Sequence, residues 1–109
     1  MSEQHLERDS FRLCEKVGNC YHLIGKKWIA LIIHALLDKP KRFNEIHACI
    51  PDLSKRVLNE RIKELEDYGI IHRNVIPTRP IRTEYSLTVK GTELGEALAT
   101  VEAWAEKWL

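Results

Sequence analysis

The stretch from Leu53 to Gly69 restricts the fold of this chain more than any other, because both of its ends and its apolar face indicate one helix. Ser54 is a favourable N-cap residue, and Gly69 can adopt the left-handed conformation that ends a helix. We therefore predict an amphipathic helix over residues 54–68. Its apolar residues recur at helical spacing: Val57, Leu58, Ile62 and Leu65.

The outer face of this helix begins basic and ends acidic. Opposite the apolar residues lie Arg56, Asn59, Glu60, Lys63 and Asp67. A helix that enters the DNA major groove by its N-terminal end needs this order, with donors for bases and phosphates at the tip and acids away from the DNA backbone. An ordinary solvated helix face has the same composition, so the flanking segments must decide between the two interpretations.

The segments before this helix predict two shorter helices. Residues 28–37 are apolar nearly all round, which is typical of a central buried helix. Arg42 and Phe43 suggest a short edge strand, and Asn44 is a suitable N-cap for a helix through residues 45–50. Two helices joined by a short turn, the second of them basic at its tip, match a helix-turn-helix.

After Gly69 the pattern changes from helical to extended. Residues 70–76 and 81–88 predict a hairpin, with the prolines of this region in its loop because proline cannot donate to the strand ladder. The loop presents Arg79 and Arg82, which suit phosphate or the narrow minor groove. A helix-turn-helix followed by a hairpin is a winged helix, so we expect a mainly α fold with a small β-hairpin wing (α+β).

Amphipathic helices are predicted at both ends of this core, and residues 1–109 are treated as one domain. A polar arm over residues 1–13 precedes a first helix at 16–24, and the last helix covers 89–108. A helix outside a complete winged-helix core is a candidate for dimerisation, with packing against its own domain as the alternative. The dimerisation residues expected on the last helix are Leu94, Leu98, Val101, Trp104 and Trp108.

The distribution of charge supports a nucleic-acid partner more strongly than the net charge of +1 does. Residues 41–82 contain 9 basic and 6 acidic side chains, whereas residues 83–109 contain 2 and 5, so the basic excess lies where DNA is expected. The chain shows no signal peptide and no apolar run of membrane-spanning length, which favours the cytoplasm. No spacing typical of catalytic residues, metal ligands or a cofactor site is evident, so an enzyme is not expected.

These segments together resemble the HxlR-type, MarR-like winged-helix regulators of bacteria. The resemblance covers most of residues 14–95 and rests on residues 24–28, 40–46, 53–58 with 63–66, and 84–88 followed by Gly91. It implies a homodimer held by the first and last helices and bound to an inverted-repeat operator through the helix at 54–68 and the wing. The residues expected to contact DNA are Lys55, Arg56, Asn59 and Lys63 on that helix, Arg79 on the wing, and Lys41, Arg42 and Arg82 at backbone phosphates.

Many members of this family are also thiol sensors, with a cysteine just before the first helix that is usually followed by proline. Cys14 occupies that place, and Glu15 replaces the proline. The similarity to two-cysteine members associated with disulfide stress implies a redox pair, and our hypothesis is a bridge from Cys14 to Cys49 of the partner subunit. Such a bridge would change the spacing of the two DNA-reading helices. Cys20 lies on the apolar stripe of the first helix, where core packing explains it better.

Two alternatives remain open at this stage. One is a regulator switched by a small ligand bound near Trp28, Tyr21 and the last helix, without redox chemistry. The other is a winged-helix module that contacts proteins and binds no DNA, which would show no salt-dependent affinity for a duplex. The sequence does not distinguish an activator from a repressor.

Overall fold

The computed structural model describes residues 15–109 as a winged helix with an added helix at each end. The order of elements matches the α+β arrangement that the sequence predicts. These elements are α1 (15–24), α2 (Ile29–Ala35), α3 (Phe43–Cys49), α4 (Lys55–Asp67), β1 (Ile71–Ile76), β2 (Arg82–Leu87) and α5 (Val89–Trp108).

Helix α2 is shorter than the predicted span of residues 28–37, and only one side of it is buried. It begins at Ile29 because Trp28 has a left-handed backbone with φ of 80°. Leu31 is 49% exposed and His34 is also exposed, so the predicted central buried helix has one side open to solvent. Apolar residues on one side of α2 pack in the domain core, whereas those on the other side face solvent. Those that reach the core are Ile29, Ile32 and Ile33.

The predicted edge strand and N-cap before α3 are each displaced. The strand-like contact is made by Lys41, whose backbone N–H donates to the Tyr85 carbonyl at 3.0 Å and whose carbonyl accepts from Tyr85 at 2.8 Å. Arg42 then serves as the N-cap, and Phe43 is already helical, so Asn44 is not the cap. The Glu45 side chain favours this start, because its Oε1 accepts the backbone N–H of Arg42 at 2.8 Å.

Helix α4 has the ends and the buried face that the sequence predicts. The backbone N–H of Val57 donates to Ser54 Oγ at 3.2 Å, which makes Ser54 the N-cap. Gly69 follows the helix with φ of 74°, a conformation that costs an L side chain energy. The face toward the core consists of Leu58, Ile62 and Leu65.

The hairpin and α5 complete the domain. Strands β1 and β2 are antiparallel, with Ile71 opposite Leu87 and Ile76 opposite Arg82, so both prolines lie in the loop as predicted. The Thr88 hydroxyl caps α5 by accepting the Gly91 N–H at 3.0 Å. At Gly91 the helix passes so close to the Ile70 carbonyl that a Cβ there would overlap its oxygen.

Candidate nucleic-acid interface

The first turns of α4 present the polar side chains that the sequence assigns to base reading. Ser54 fixes the start of the helix, and the buried residues Leu58 and Ile62 fix its rotation, so the opposite face points to solvent. The Arg56 side chain is 83% exposed, and its guanidinium lies 3.8 Å from the Glu60 carboxylate. An ion pair this exposed contributes little to stability, so Arg56 can leave Glu60 and bind DNA instead. The four residues of α4 that the sequence assigns to DNA are all exposed: Lys55, Arg56, Asn59 and Lys63.

A network of charged side chains holds α4 against the turn between α1 and α2. Glu64 accepts from Lys26 and from Arg61, each at 2.9 Å, and Arg61 Nε donates to the Lys27 carbonyl at 3.1 Å. The hydrogen bond from Lys26, together with the nearby Arg61, holds the pKa of Glu64 below its usual value. Helical spacing shows that Arg61 and Glu64 can meet on one helix, but it does not reveal their contact with the turn.

The wing arginines and Arg42 meet in one place. Arg42, Arg79 and Arg82 are all exposed, and together they line a cleft between the start of α3 and the loop of the hairpin. Arg82 is the first residue of β2 rather than a residue of the loop tip, and its guanidinium lies 3.9 Å from Glu84. The structure therefore brings together three of the predicted DNA contacts that are separate in sequence.

Lys41 is the exception among the predicted phosphate contacts. Its residue is only 8% exposed, and Nζ donates to the Ala35 carbonyl and to Asp38 Oδ1, both at 2.6 Å. The hydrogen bond from Lys41 also holds the pKa of the Asp38 carboxyl below its usual range. Because its ammonium is already used to close the end of α2, the structure does not present Lys41 for the predicted phosphate contact.

The structure describes two of the three cysteines, and both are exposed. Cys14 lies outside the described residues. Cys20 is exposed, so the expectation that it packs in the core is wrong: the stripe of α1 to which it belongs faces solvent in the single chain. Cys49 is exposed at the end of α3 and lines an open cavity of about 600 Å³ with Leu31 and His34 of α2. The protein between residues 15 and 109 groups no three His, Cys, Asp or Glu side chains as metal ligands.

Over residues 15–109, apolar side chains of α1, α2 and α5 stay exposed. Leu94 and Leu98 of α5 are half-buried against the core, whereas Trp104 is 56% exposed. His34 of α2 lies 2.7 Å from Glu102 of α5, which fixes the more distal part of α5 beside α2. The end-helix face is defined here by Val17 and Tyr21 of α1, Leu31 of α2, and Val101, Trp104 and Trp108 of α5, all of which are exposed.

Known proteins share both the sequence and this fold. The HxlR-like helix-turn-helix family matches residues 23–109. YodB, an HTH-type transcriptional regulator of Bacillus subtilis (strain 168), is 45% identical over 96 residues, which are 88% of this chain and 86% of that protein. YvaP of the same organism, an uncharacterized HTH-type transcriptional regulator, is 45% identical over 97 residues, 89% of this chain and 90% of that protein.

Solved structures of similar regulators have the same fold as this chain. The reduced form of YodB superposes with a TM-score of 0.79, covering 87% of this chain and 93% of that chain. The redox regulator HypR in its oxidised form superposes with a TM-score of 0.80 at 35% identity, covering 84% of this chain and 95% of that chain. YodB has also been solved after diamide treatment and with quinone bound.

No helix between residues 15 and 109 has the length and hydropathy needed to cross a bilayer. What the described chain does present is a capped helix with a basic outer tip, followed by a wing with arginines in and beside its loop. With a family match over most of its length and relatives that regulate transcription, the chain belongs to the HxlR-like helix-turn-helix family and is a DNA-binding winged-helix transcription regulator.

Proposed function

We propose that this chain acts as a homodimer in the bacterial cytoplasm, binds an inverted-repeat operator through α4 and the wing, and is switched by oxidation of its thiols rather than acting as an enzyme. The observation that carries the proposal is the exposed basic tip of α4, with Arg56 and Asn59 directed to solvent at the capped end of the helix. Helix N-terminal residues of this kind read base edges in the major groove.

Binding to DNA is tested with a labelled duplex at several salt concentrations. We expect affinity to fall steeply with salt, because each neutralised phosphate releases counterions. Arg56→Gln should alter which operator sequences are preferred, whereas Lys107→Gln, which removes an equal charge at the end of α5, should leave both affinity and preference unchanged. A wild-type protein with no salt-dependent affinity for any duplex would instead be an interaction module.

The end-helix face supports the homodimer. Its tryptophans are more than half exposed, and large exposed apolar patches mark association surfaces. Two copies that bury this face would align two α4 helices for two half-sites about 34 Å apart. Trp104→Ala should shift the sedimenting species toward monomer, and Glu96→Ala, a truncation on the exposed side of α5 opposite Leu94 and Leu98, should not. Equal behaviour of the two variants would exclude this face as the dimer contact.

The proposed switch is a disulfide from Cys14 to Cys49 of the partner subunit. In support, Cys49 is an exposed thiol, and its cavity includes Leu31 of the end-helix face, so a partner bound there would pass close to Cys49. HypR is described as a redox regulator and YodB has been solved in diamide-treated and quinone-bound forms, which favours thiol chemistry in this chain as well.

Non-reducing electrophoresis with intact-mass analysis tests the switch after mild thiol oxidation. The expected result is a covalent dimer in the wild type and in Cys20→Ser, and its loss in Cys14→Ser and Cys49→Ser. A dimer that survives Cys49→Ser contradicts the pairing. Oxidised protein that stays non-covalent and reduced in mass would favour the regulator switched by a small ligand.

A further inference from the structure

The cleft between the start of α3 and the loop of the wing is lined by positive charge from two separate parts of the chain. It has a volume of about 270 Å³, and its lining includes Arg42 from the N-cap of α3 together with Arg79 and Arg82 from the hairpin. Every charged residue in this lining is an arginine. Since a guanidinium stays protonated at any physiological pH, the cleft is permanently cationic.

Backbone hydrogen bonds hold the two sides of the cleft together. The pair between Lys41 and Tyr85 attaches the segment before α3 to the middle of β2, which places Arg42 beside the hairpin. In the loop, the Thr78 N–H donates to the Ile76 carbonyl at 2.8 Å, and the Thr78 hydroxyl donates to the Pro80 carbonyl at 2.8 Å. The fold therefore places Arg42 beside the hairpin and gives the loop internal hydrogen bonds.

The neighbouring carboxylates leave these arginines free to bind an anion. Glu45 lies 3.6 Å from Arg42 Nε, but its Oε1 accepts the backbone N–H of Arg42, and that bond is the main reason why the pKa of Glu45 is lowered. Glu84 lies 3.9 Å from Arg82. Both pairs are long and their arginines are exposed, so they contribute little to stability, and neither carboxylate lines the cleft.

We propose that this cleft is a single phosphate site, in which Arg42, Arg79 and Arg82 bind one backbone phosphate of the DNA duplex jointly. The inference rests on the proposed DNA binding and refines it, because three separate contacts become one shared contact. Guanidinium groups suit phosphate, since their planar N–H pairs match two phosphate oxygens at once. A phosphate held between α3 and the wing would fix the wing relative to the helix-turn-helix when DNA is bound.

A double-mutant cycle on duplex binding tests the shared site, with affinity measured by fluorescence anisotropy between about 50 and 200 mM salt. Loss of one phosphate contact reduces the steepness of log affinity against log salt by about 0.9, so the affinity falls about 3.5-fold less across this salt range. If one phosphate is shared, Arg42→Gln, Arg82→Gln and the double variant should each lose at most about 0.9, because the three arginines together neutralise only one phosphate. The matched control is Arg73→Gln on the same hairpin, which lies outside the cleft and whose effect should add to that of Arg82→Gln.

Additive losses in the Arg42 and Arg82 pair, with a slope lowered by about 1.8 in the double variant, would overturn the shared site while leaving DNA binding intact. Wild-type protein that binds no duplex would overturn the proposed function and the site with it. Circular dichroism confirms that each variant is folded before it enters the cycle.

Inorganic phosphate separates a DNA phosphate from a free anion as the occupant. At matched ionic strength, its addition should weaken duplex binding no more than chloride does. Stronger competition by free phosphate, with side-chain NMR signals of the three arginines shifting before duplex is released, would assign the cleft to a small anion and overturn the proposal.

Discussion

Lys41→Met should destabilise the protein and leave its DNA contacts unchanged, although the sequence presents Lys41 as a phosphate ligand. The Lys41 side chain is 10% exposed, and its ammonium closes the end of α2 through the Ala35 carbonyl. Methionine retains an unbranched apolar stem of similar size but has no donor. The substitution therefore removes the hydrogen bond while it keeps most of the packing.

The expected loss follows from the bond to Ala35. A hydrogen bond from a charged donor contributes about 1.5–3 kcal/mol, and its removal leaves a carbonyl without its partner in a buried place. In a domain of about 100 residues, 1 kcal/mol corresponds to about 4–8 °C in Tm, so the melting temperature should fall by about 6–24 °C. The Asp38 end of the contact is exposed and adds little.

Urea unfolding followed by tryptophan fluorescence, at one fixed protein concentration, measures the loss. Asp38→Asn is the matched control, because it removes the exposed charge and keeps the bond from Lys41 to Ala35. Wild-type stability in Lys41→Met, or an equal loss in Asp38→Asn, would refute the reasoning. A salt slope for duplex binding lowered by about 0.9 in Lys41→Met would restore the phosphate role that the sequence suggests.

Other predictions concern acid stability, a helix cap and a close contact. Folding lowers the pKa values of Asp38 and Glu64, so the stability that these carboxylates contribute is present above their unfolded pKa values and is lost as the pH falls through their folded pKa values. Glu64→Gln should therefore make the urea midpoint less dependent on pH between about 5 and 2. Ser54→Ala should cost about 1 kcal/mol by urea unfolding, and Ser54→Asp should restore it; equal stability of all three proteins would contradict the cap. Gly91→Ala should cost about 1–3 kcal/mol because the added methyl overlaps the Ile70 carbonyl oxygen, whereas Gly18→Ala meets no neighbour and should cost nothing; thermal melts compare the two.

Features specified by a few consecutive residues could be predicted from the sequence. The caps of α4 and α5 depend on a side-chain oxygen that meets an N–H three residues later, and both Ser54 and Thr88 act in this way. The hairpin follows from alternation and from proline, which cannot donate to a ladder. For the same reason the exposed face of α4 was predictable, since helical spacing alone fixes which side chains oppose its buried residues.

Features that depend on distant parts of the chain could not be predicted in the same way. Lys41 is buried because its backbone pairs with Tyr85 and its ammonium meets the end of α2, and neither partner is adjacent in sequence. The position of Asn44 favours an N-cap locally, but Glu45 reaches back to Arg42 and starts α3 earlier. In α1 and α2 apolar residues indicated burial, yet none of the elements between residues 15 and 109 covers Leu31 and its neighbours.

The contacts of Glu64 connect α4, the helix expected to bind the major groove, to the turn that follows α1. By its charge, Glu64 belongs to the acidic end of α4, which lies away from DNA. In the fold Glu64 accepts hydrogen bonds from Lys26 and Arg61, and Arg61 also donates to the Lys27 carbonyl. That turn connects α1 to the rest of the domain, so α4 is attached to the helix that carries part of the end-helix face. In the proposed dimer, a displacement of α1 on oxidation would therefore reach α4 through these contacts as well as through the covalent bridge. The spacing of two half-sites leaves such a displacement little tolerance, because the second helix must meet the next major groove.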